Sequence, residues 1–244
     1  YNKVLKSNNL EYKYGKAVEY YKDGQCIKAL PLFEELIALY RGTAKSEKIF
    51  YYYAQTHYCL KDYILAGYYF KQFGKTFPNS QFVEECTFLS AYCNYLESPG
   101  YSLDSGPTQT ALNELQLYLE LFPNTELKDS VNTLMDELNI KLERKAFENS
   151  KLYLRTERYK SAVIALQNVL KDYPATDFRE EVMFMIIEAN YKLAINSIES
   201  KKRERLEDTI DSYHKFVDNF ENSTNLSKAE QYYLNARKEL EVYN

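Results

Sequence analysis

The sequence predicts an all-α fold, a right-handed solenoid of five stacked helix pairs closed by one C-terminal helix. A small residue recurs five times, with a large apolar residue four places later and a helix-stopping residue twelve places later. The five copies are Ala29-Phe33-Arg41, Ala66-Phe70-Pro78, Ala111-Leu115-Pro123, Ala162-Leu166-Pro174 and Thr209-Tyr213-Glu221. An aromatic residue precedes each stop, and Ser or Thr stands two places beyond it. Repetition on this scale is typical of helical units that pack mainly on their neighbours.

The first two pairs share a register of 37 residues, which relates Ala17 to Ala54 and Ala29 to Ala66. Residues 1–9 are polar, and we expect them to be frayed or extended. A helix over residues 10–22 should end at Asp23-Gly24, because glycine adopts the left-handed conformation that a helix end favours. In the next helix, over residues 25–40, Pro31 predicts a kink or a late start, because proline lacks the backbone donor.

The remaining helices follow from the spacing of apolar residues and from the stops. We expect Ser80 to be the N-cap of the third pair. Turn-forming residues 98–106 make an insertion within that pair. The helices are expected over residues 45–60, 62–77, 80–97, 107–122, 126–155 (one long helix or two nearly coaxial ones), 161–172, 178–198, 204–219 and 226–242.

Composition narrows the classes of partner. The 31 Lys and Arg and the 35 Asp and Glu residues are interspersed and give a net charge of −4. There is no one-sided basic stripe, so we do not expect a nucleic-acid partner. No apolar run reaches the roughly 18–20 residues that a membrane span requires.

The cysteines lie in amphipathic helices without a C-x-x-C motif, and we expect buried thiols rather than disulfides. They are Cys26, Cys59, Cys86 and Cys93.

The sequence contains no pattern that indicates an enzyme, a cofactor or a metal site. Its two histidines, His57 and His214, lie in different repeats. His57 occupies the position equivalent to Tyr20, so we expect a core or edge residue rather than a base. Adjacent carboxylates such as Glu84 and Glu85 point about 100° apart on a helix and do not share a site. Phosphate-binding and nucleophile motifs are absent.

A row of aromatic residues is the strongest binding signal. When Ala17, Ala54 and Ala91 are aligned, large side chains coincide at the same positions of three successive first helices. The candidate peptide-binding residues are Tyr14, Tyr21, Lys22, Tyr51, Gln55, Tyr58, Phe88, Tyr92 and Tyr95. Tyr rings offer contact area at low cost in conformational entropy, and Lys22 could meet a C-terminal carboxylate. Two interpretations stay open: a groove for an extended peptide, or rings that only pack adjacent helices.

The small–aromatic–Pro frame resembles the tetratricopeptide repeat. The stops F-P-N-S (77–80) and Y-P-A-T (173–176), five repeats, and the insertion SPGYSLDSGPTQTA resemble more narrowly the tetratricopeptide-repeat lipoproteins of outer-membrane β-barrel assembly in Gram-negative bacteria. The abundance of Tyr and Lys suggests a Bacteroidetes version. Arg41-Gly42 and Glu221 depart from the pattern, since Pro is expected at both stops. The lipid-bearing cysteine of that family is missing near Tyr1.

The resemblance implies a non-enzymatic scaffold at the periplasmic face of the outer membrane, held there by a lipid anchor upstream of this chain. Residues 1–125 (repeats 1–3) would receive the C-terminal signals of unfolded outer-membrane proteins. Residues 126–244 (repeats 4–5 and the last helix) would dock the barrel assembly protein. The candidate docking residues are Arg155, Arg158, Arg179 and Lys192, with His214 as a further polar candidate. The alternative is an unrelated tetratricopeptide adaptor, cytosolic or periplasmic.

Overall fold

A computed structural model describes residues 1–243, whose regular secondary structure is helical and includes no strand, so the all-α prediction is confirmed. The chain divides into two compact units, Tyr1–Asn139 and Ile140–Asn244. The assignment of separate functions to residues 1–125 and 126–244 stays a prediction. The helices are α1 (Asn2–Leu5), α2 (Leu10–Lys22), α3 (Cys26–Leu39), α4 (Ser46–Cys59), α5 (Tyr63–Thr76), α6 (Val83–Leu96), α7 (Gly106–Leu121), α8 (Lys128–Arg155), α9 (Tyr159–Asp172), α10 (Arg179–Ile195), α11 (Glu199–Asn219) and α12 (Leu226–Leu240), with a 3₁₀ helix at Glu241–Tyr243.

The recurring small residue is buried between packed helices in every repeat. The five side chains at this position are completely buried: Ala29, Ala66, Ala111, Ala162 and Thr209. The large residue four places later is also fully buried in four of the repeats. Successive helices within each unit pack against each other around these positions. A methyl-sized side chain leaves room for the facing helix, because protein interiors are close-packed.

Every helix pair ends in the same turn. The aromatic residue before each stop is the C-cap of its helix. Its carbonyl accepts a bond from the backbone N–H of the Ser or Thr three places on, at 3.0–3.2 Å in all five copies. In the second copy Ser80 Oγ also accepts from the Phe82 N–H at 3.1 Å. Ser80 was predicted to be the N-cap of α6; that prediction is wrong, because Ser80 closes this turn and Phe82 is the N-cap.

Three of the five turns between the two helices of a pair contain a left-handed residue. Gly24 has φ of +72°, and Lys61, its equivalent in the next repeat, has φ of +60°. Glu157 in the fourth repeat also has φ of +60°. In each case the following N–H bonds to a carbonyl five residues earlier, the pattern of a Schellman helix end. The helix end predicted at Asp23-Gly24 is confirmed.

Some predicted elements differ from the structure. Asn2–Leu5 form a helical turn rather than a frayed segment, because Val4 is buried against the first helix pair. The late start predicted at Pro31 is wrong: α3 begins at Cys26 and continues through Pro31. The carbonyl that loses its helical donor belongs to Ile27, whose side chain is 79% exposed, so water can replace the lost bond. Of the two alternatives for residues 126–155, a single helix, α8, is present.

The expectation of four free thiols is wrong for one pair. Cys26 and Cys59 form a disulfide, with their Cα atoms 6.3 Å apart. Cys26 begins α3 and Cys59 ends α4, so the 33-residue separation brings them to the same end of neighbouring helices. Cys86 and Cys93 are free and buried, as predicted. Burial raises the pKa of each of these two thiols to about 12, so both stay protonated.

His57 is a core residue, as its repeat position predicts. Its side chain is only 4% exposed and stacks on Tyr69, with ring centroids 5.1 Å apart. The ring also meets the Tyr53 ring edge-on at 4.8 Å. Its Nδ1 lies 3.6 Å from Asp62 Oδ2, beyond hydrogen-bonding distance, and neither nitrogen is hydrogen-bonded within the described chain. Burial lowers the pKa of His57 below its ordinary value of 6.5, although the Asp62 carboxylate opposes the shift.

The first prediction concerns the buried small residue. Ala66→Leu should lower the free energy of unfolding by about 1–3 kcal/mol, because the added atoms overfill a helix contact. Urea denaturation followed by circular dichroism measures this. Ala38→Leu, on the exposed face of α3, is the matched control and should change stability little. An Ala66→Leu protein as stable as the parent would show that the contact is not close-packed.

The second prediction concerns pH. Because His57 has a lower pKa when folded, the unfolded chain binds more protons near its ordinary pKa, and stability is lost as pH falls below 6.5. His57→Phe should reduce this loss between about pH 8 and about pH 5 in urea titrations. Ala38→Leu, which changes no titratable group, is the control and should keep the parental pH dependence. Identical pH dependence in parent and His57→Phe would contradict the interpretation.

Candidate functional site

A pocket of about 460 Å³ lies on the first unit, between α2, α4 and the start of α6. We call it the aromatic pocket. It brings together four of the predicted peptide-binding residues, Tyr14, Tyr21, Lys22 and Tyr51. The other lining residues are Lys48, Tyr52, Gln81 and Phe82. The predicted register therefore places part of the aromatic row in one concave site.

The walls of the aromatic pocket are rings that contact one another. Tyr51 stacks on Phe82 with centroids 4.4 Å apart. Tyr52 meets Tyr21 edge-on at 5.4 Å, and also meets Tyr51 edge-on at 5.5 Å. Beneath them, Tyr52 stacks on the fully buried Phe33 at 5.9 Å. Offset and edge-on contacts of this kind fix the orientation of aromatic side chains, so the pocket wall is held in place before any ligand arrives.

A hydrogen-bond network fixes the orientation of the Tyr51 side chain. The Tyr51 hydroxyl donates to Glu85 Oε1 at 2.7 Å. Gln55 Nε2 donates to the same carboxylate oxygen and to the Tyr51 hydroxyl, both at 3.0 Å. Burial and the Glu85 carboxylate raise the pKa of Tyr51, so its hydroxyl remains a donor at neutral pH. Gln55, predicted as a binding residue, is buried in this network and positions Tyr51.

The remaining predicted residues lie outside the pocket lining. Phe88, Tyr92 and Tyr95 stack in sequence along α6, with centroid distances of 5.7 and 5.6 Å. Tyr95 donates to Glu137 of α8. Tyr58 contacts Tyr63 at 5.6 Å, at the turn between α4 and α5. These four side chains are half-buried, and their contacts are those of residues that pack helices together.

The charged side chains that line the aromatic pocket are both lysines, while the Glu85 carboxylate accepts a hydrogen bond from the Tyr51 hydroxyl of its wall. Lys22 and Lys48 line it and are exposed, and no carboxylate belongs to the lining. Neither lysine makes a hydrogen bond or an ion pair with any residue among 1–243. Free ammonium groups beside aromatic walls can bind an anionic group that is attached to a flat apolar side chain.

A second concave site, the C-terminal groove, has a volume of about 780 Å³ and lies within the second unit. Its walls come from the C-terminal half of α8 and from α10, with Tyr159 and Asn225 at its margin. Of the predicted docking residues, Arg155 and Lys192 line it. Its apolar lining residues are Leu152 and Leu154 of α8, Phe178 at the N-cap of α10, and Phe184 and Met185 of α10.

The other two docking candidates have different surroundings. Arg179 Nη1 donates to the Pro174 carbonyl at 3.2 Å, so the side chain folds back over its own turn. Arg158 is the exposed N-cap residue of α9. His214 contacts the rings of Tyr213 and Tyr233 on the surface between α11 and α12. None of these three residues lines the groove.

Sequence reasoning missed several residues of the aromatic pocket, notably Lys48, Tyr52 and Phe82. Lys48 lies three residues before Tyr51, one turn away on the same helix face. The repeat spacing of 37 residues makes Lys48 the equivalent of Glu85 in the next repeat. The register could therefore have identified Lys48 as a pocket residue and Glu85 as the partner of Tyr51. Phe82 gives no such signal, because it lies in the turn before α6.

Within residues 1–243 no group of three or more His, Cys, Asp or Glu side chains is arranged to hold a metal ion. The same part of the chain contains no helix with the length and apolar character needed to cross a membrane.

Comparison with known proteins identifies the family to which the chain belongs. The outer membrane lipoprotein family, YfiO, matches residues 7–206. The outer membrane protein assembly factor BamD of Caulobacter vibrioides is 22% identical over 193 residues. That alignment covers 79% of this chain and 63% of the relative, so the chain spans less than two thirds of that relative's length.

Two solved structures of low identity are also similar. The crystal structure of the P58(IPK) TPR domain matches all of this chain and 68% of its own, with 13% identity and a TM-score of 0.45. The TPR2AB-domain:pHSP90 complex of yeast Sti1 matches 93% of this chain and 98% of its own, with 14% identity and a TM-score of 0.43. The family match is far more specific and spans more than four fifths of the sequence. This protein therefore belongs to the YfiO family of outer membrane lipoproteins.

Proposed function

We propose that the protein is a non-catalytic scaffold for outer-membrane protein assembly, acting at the periplasmic face of the outer membrane. The family and the name of the Caulobacter relative support this role. A lipid group attached upstream of Tyr1 would anchor the full-length protein. The two concave sites would serve two partners, unfolded outer-membrane proteins and the barrel assembly protein.

The aromatic pocket is the proposed receptor for the C-terminal signal of an unfolded outer-membrane protein. The observation that carries the proposal is the pair of unpaired lysines, Lys22 and Lys48, beside a fixed wall of tyrosines. A chain that ends in an aromatic residue presents a carboxylate and a ring on the same residue. The ring would lie against Tyr21 and Tyr51, and the carboxylate would meet the ammonium groups.

The C-terminal groove is the proposed docking site for the periplasmic part of the barrel assembly protein. Arg155 and Lys192 line it, and Arg155 makes no hydrogen bond or ion pair within the described residues. A free guanidinium beside an apolar floor is typical of interface centres. Arg158 and Arg179 would contribute only if the partner extends beyond the groove.

The third prediction tests carboxylate recognition in the aromatic pocket. A peptide that ends in Phe with a free carboxylate should bind the full chain more tightly than the same peptide ending in an amide. The double variant Lys22→Gln with Lys48→Gln should bind the free-acid peptide about tenfold more weakly than the parent does. Its affinity for the amide peptide should be nearly unchanged. Isothermal titration calorimetry of the two proteins with each of the two peptides gives the coupling free energy between the lysines and the peptide carboxylate.

Lys75→Gln is the matched control, since Lys75 is exposed on α5 and lies outside the pocket. It should bind both peptides as the parent does. Equal losses for acid and amide peptides would contradict carboxylate recognition. Equal affinity for barrel-protein chain ends and for scrambled peptides that keep the final Phe would favour the alternative, a tetratricopeptide adaptor of other specificity.

A further inference from the structure

The lining of the C-terminal groove carries more negative than positive charge. Six carboxylates face three cations: Glu148, Glu157, Asp177, Glu180, Glu181 and Glu188 against Lys151, Arg155 and Lys192. The sequence as a whole is much more nearly balanced, with 35 acidic and 31 basic residues. The excess is therefore a local property of this groove.

Contacts within the groove leave that excess unneutralised. Lys151 pairs with Glu181 at 3.0 Å, and Lys192 pairs with Glu188 at 2.6 Å. Glu180 accepts a hydrogen bond from the Ser223 hydroxyl at 2.6 Å. The three other carboxylates make no hydrogen bond or ion pair with residues 1–243, and Arg155 is the only lining cation in the same state.

The same groove is also lined by apolar side chains. Leu154 and Met185 are buried, at 9% and 6% exposure, and Phe184 is half-buried beside them. Leu152, another apolar lining residue, is 45% exposed. A ligand that fills the groove must therefore bury apolar side chains and also present groups to the acidic wall.

We infer that the C-terminal groove binds a cationic amphipathic segment, in which Lys or Arg side chains flank apolar ones. The stems of Lys and Arg pack along apolar surface while their charged ends reach the rim. Acidic segments would meet the unpaired carboxylates and be rejected. This inference rests on the proposed docking function of the groove and specifies the chemistry of the docked segment. The aromatic pocket, whose free charges are lysines, would select the opposite sign.

The experiment measures binding of a short fluorescent peptide of alternating Lys and Leu to the full chain by anisotropy. Alternating Glu–Leu and Lys–Ser peptides are the matched probes. The variants are Glu148→Gln and Asp177→Asn, which remove unpaired carboxylates without breaking any contact. Asp218→Asn, an exposed carboxylate of α11 in the same unit, is the matched control.

The Lys–Leu peptide should bind more tightly than either other peptide, and less tightly as salt is raised. Each groove variant should bind the Lys–Leu peptide about threefold more weakly than the parent, which is the effect of one exposed charge pair. The control Asp218→Asn should bind it as the parent does. Equal or tighter binding of the Glu–Leu peptide, or unchanged affinity in both groove variants, would overturn the inference.

Capture of the periplasmic part of the barrel assembly protein by the same variants separates the two proposals. Capture that survives in Glu148→Gln and Asp177→Asn, together with no Lys–Leu binding, overturns the cationic-segment inference and leaves the docking function standing. Charge-dependent Lys–Leu binding without any capture supports the inference and contradicts the proposed partner.

Discussion

Close contact of helices at five buried small residues is the constraint on which the rest of this structure depends. Ala29, Ala66, Ala111, Ala162 and Thr209 have no exposed surface. A larger side chain at any of these positions would hold two helices apart, and dense packing leaves no space to absorb it. The turn that follows each copy, with an aromatic C-cap and a Ser or Thr, then returns the chain to the start of the next pair.

Regular spacing of the helices gives each unit its binding surface. Because α2 and α4 are equivalent helices 37 residues apart, side chains at equivalent positions, such as Tyr14 and Tyr51, come together in one pocket. Lys48 lies on the pocket face because it precedes Tyr51 by one turn of α4. In the second unit, α8 and α10 supply a groove lined by apolar side chains and by an excess of carboxylates. The two sites thus differ in the sign of their free charge, which supports different ligands at each.

The repeat pattern was sufficient to predict the class of fold and most helix bounds, because burial periodicity and stop residues are local signals. The helix α2 agrees with its predicted range, and the buried role of His57 followed from its register. The disulfide was not predictable from cysteine spacing alone. It depends on Cys26 and Cys59 lying at one end of neighbouring helices, which only the packed structure shows. The short helix at Asn2–Leu5 likewise depends on a tertiary contact of Val4.

The binding residues were predictable only in part for the same reason. Register placed Tyr14, Tyr21 and Tyr51 on one face, but it could not show that Gln55 is buried beneath Tyr51. Nor could it show that Phe88, Tyr92 and Tyr95 stack on each other rather than on the pocket wall. Those outcomes depend on side-chain contacts across helices. The acidic excess of the C-terminal groove is also a tertiary property, since its carboxylates come from two separate stretches of the chain, residues 148–157 and 177–188.

Photo-crosslinking tests the central claim most directly. A benzophenone amino acid in place of Gln81, which is exposed and lines the aromatic pocket, should crosslink to the last residue of a bound barrel-protein peptide. The same amino acid in place of Tyr68, an exposed tyrosine outside the pocket, should give no crosslink. Mass spectrometry identifies the crosslinked peptide residue. Crosslinks from Tyr68 but not from Gln81, or crosslinks only to the middle of the peptide, would contradict the account.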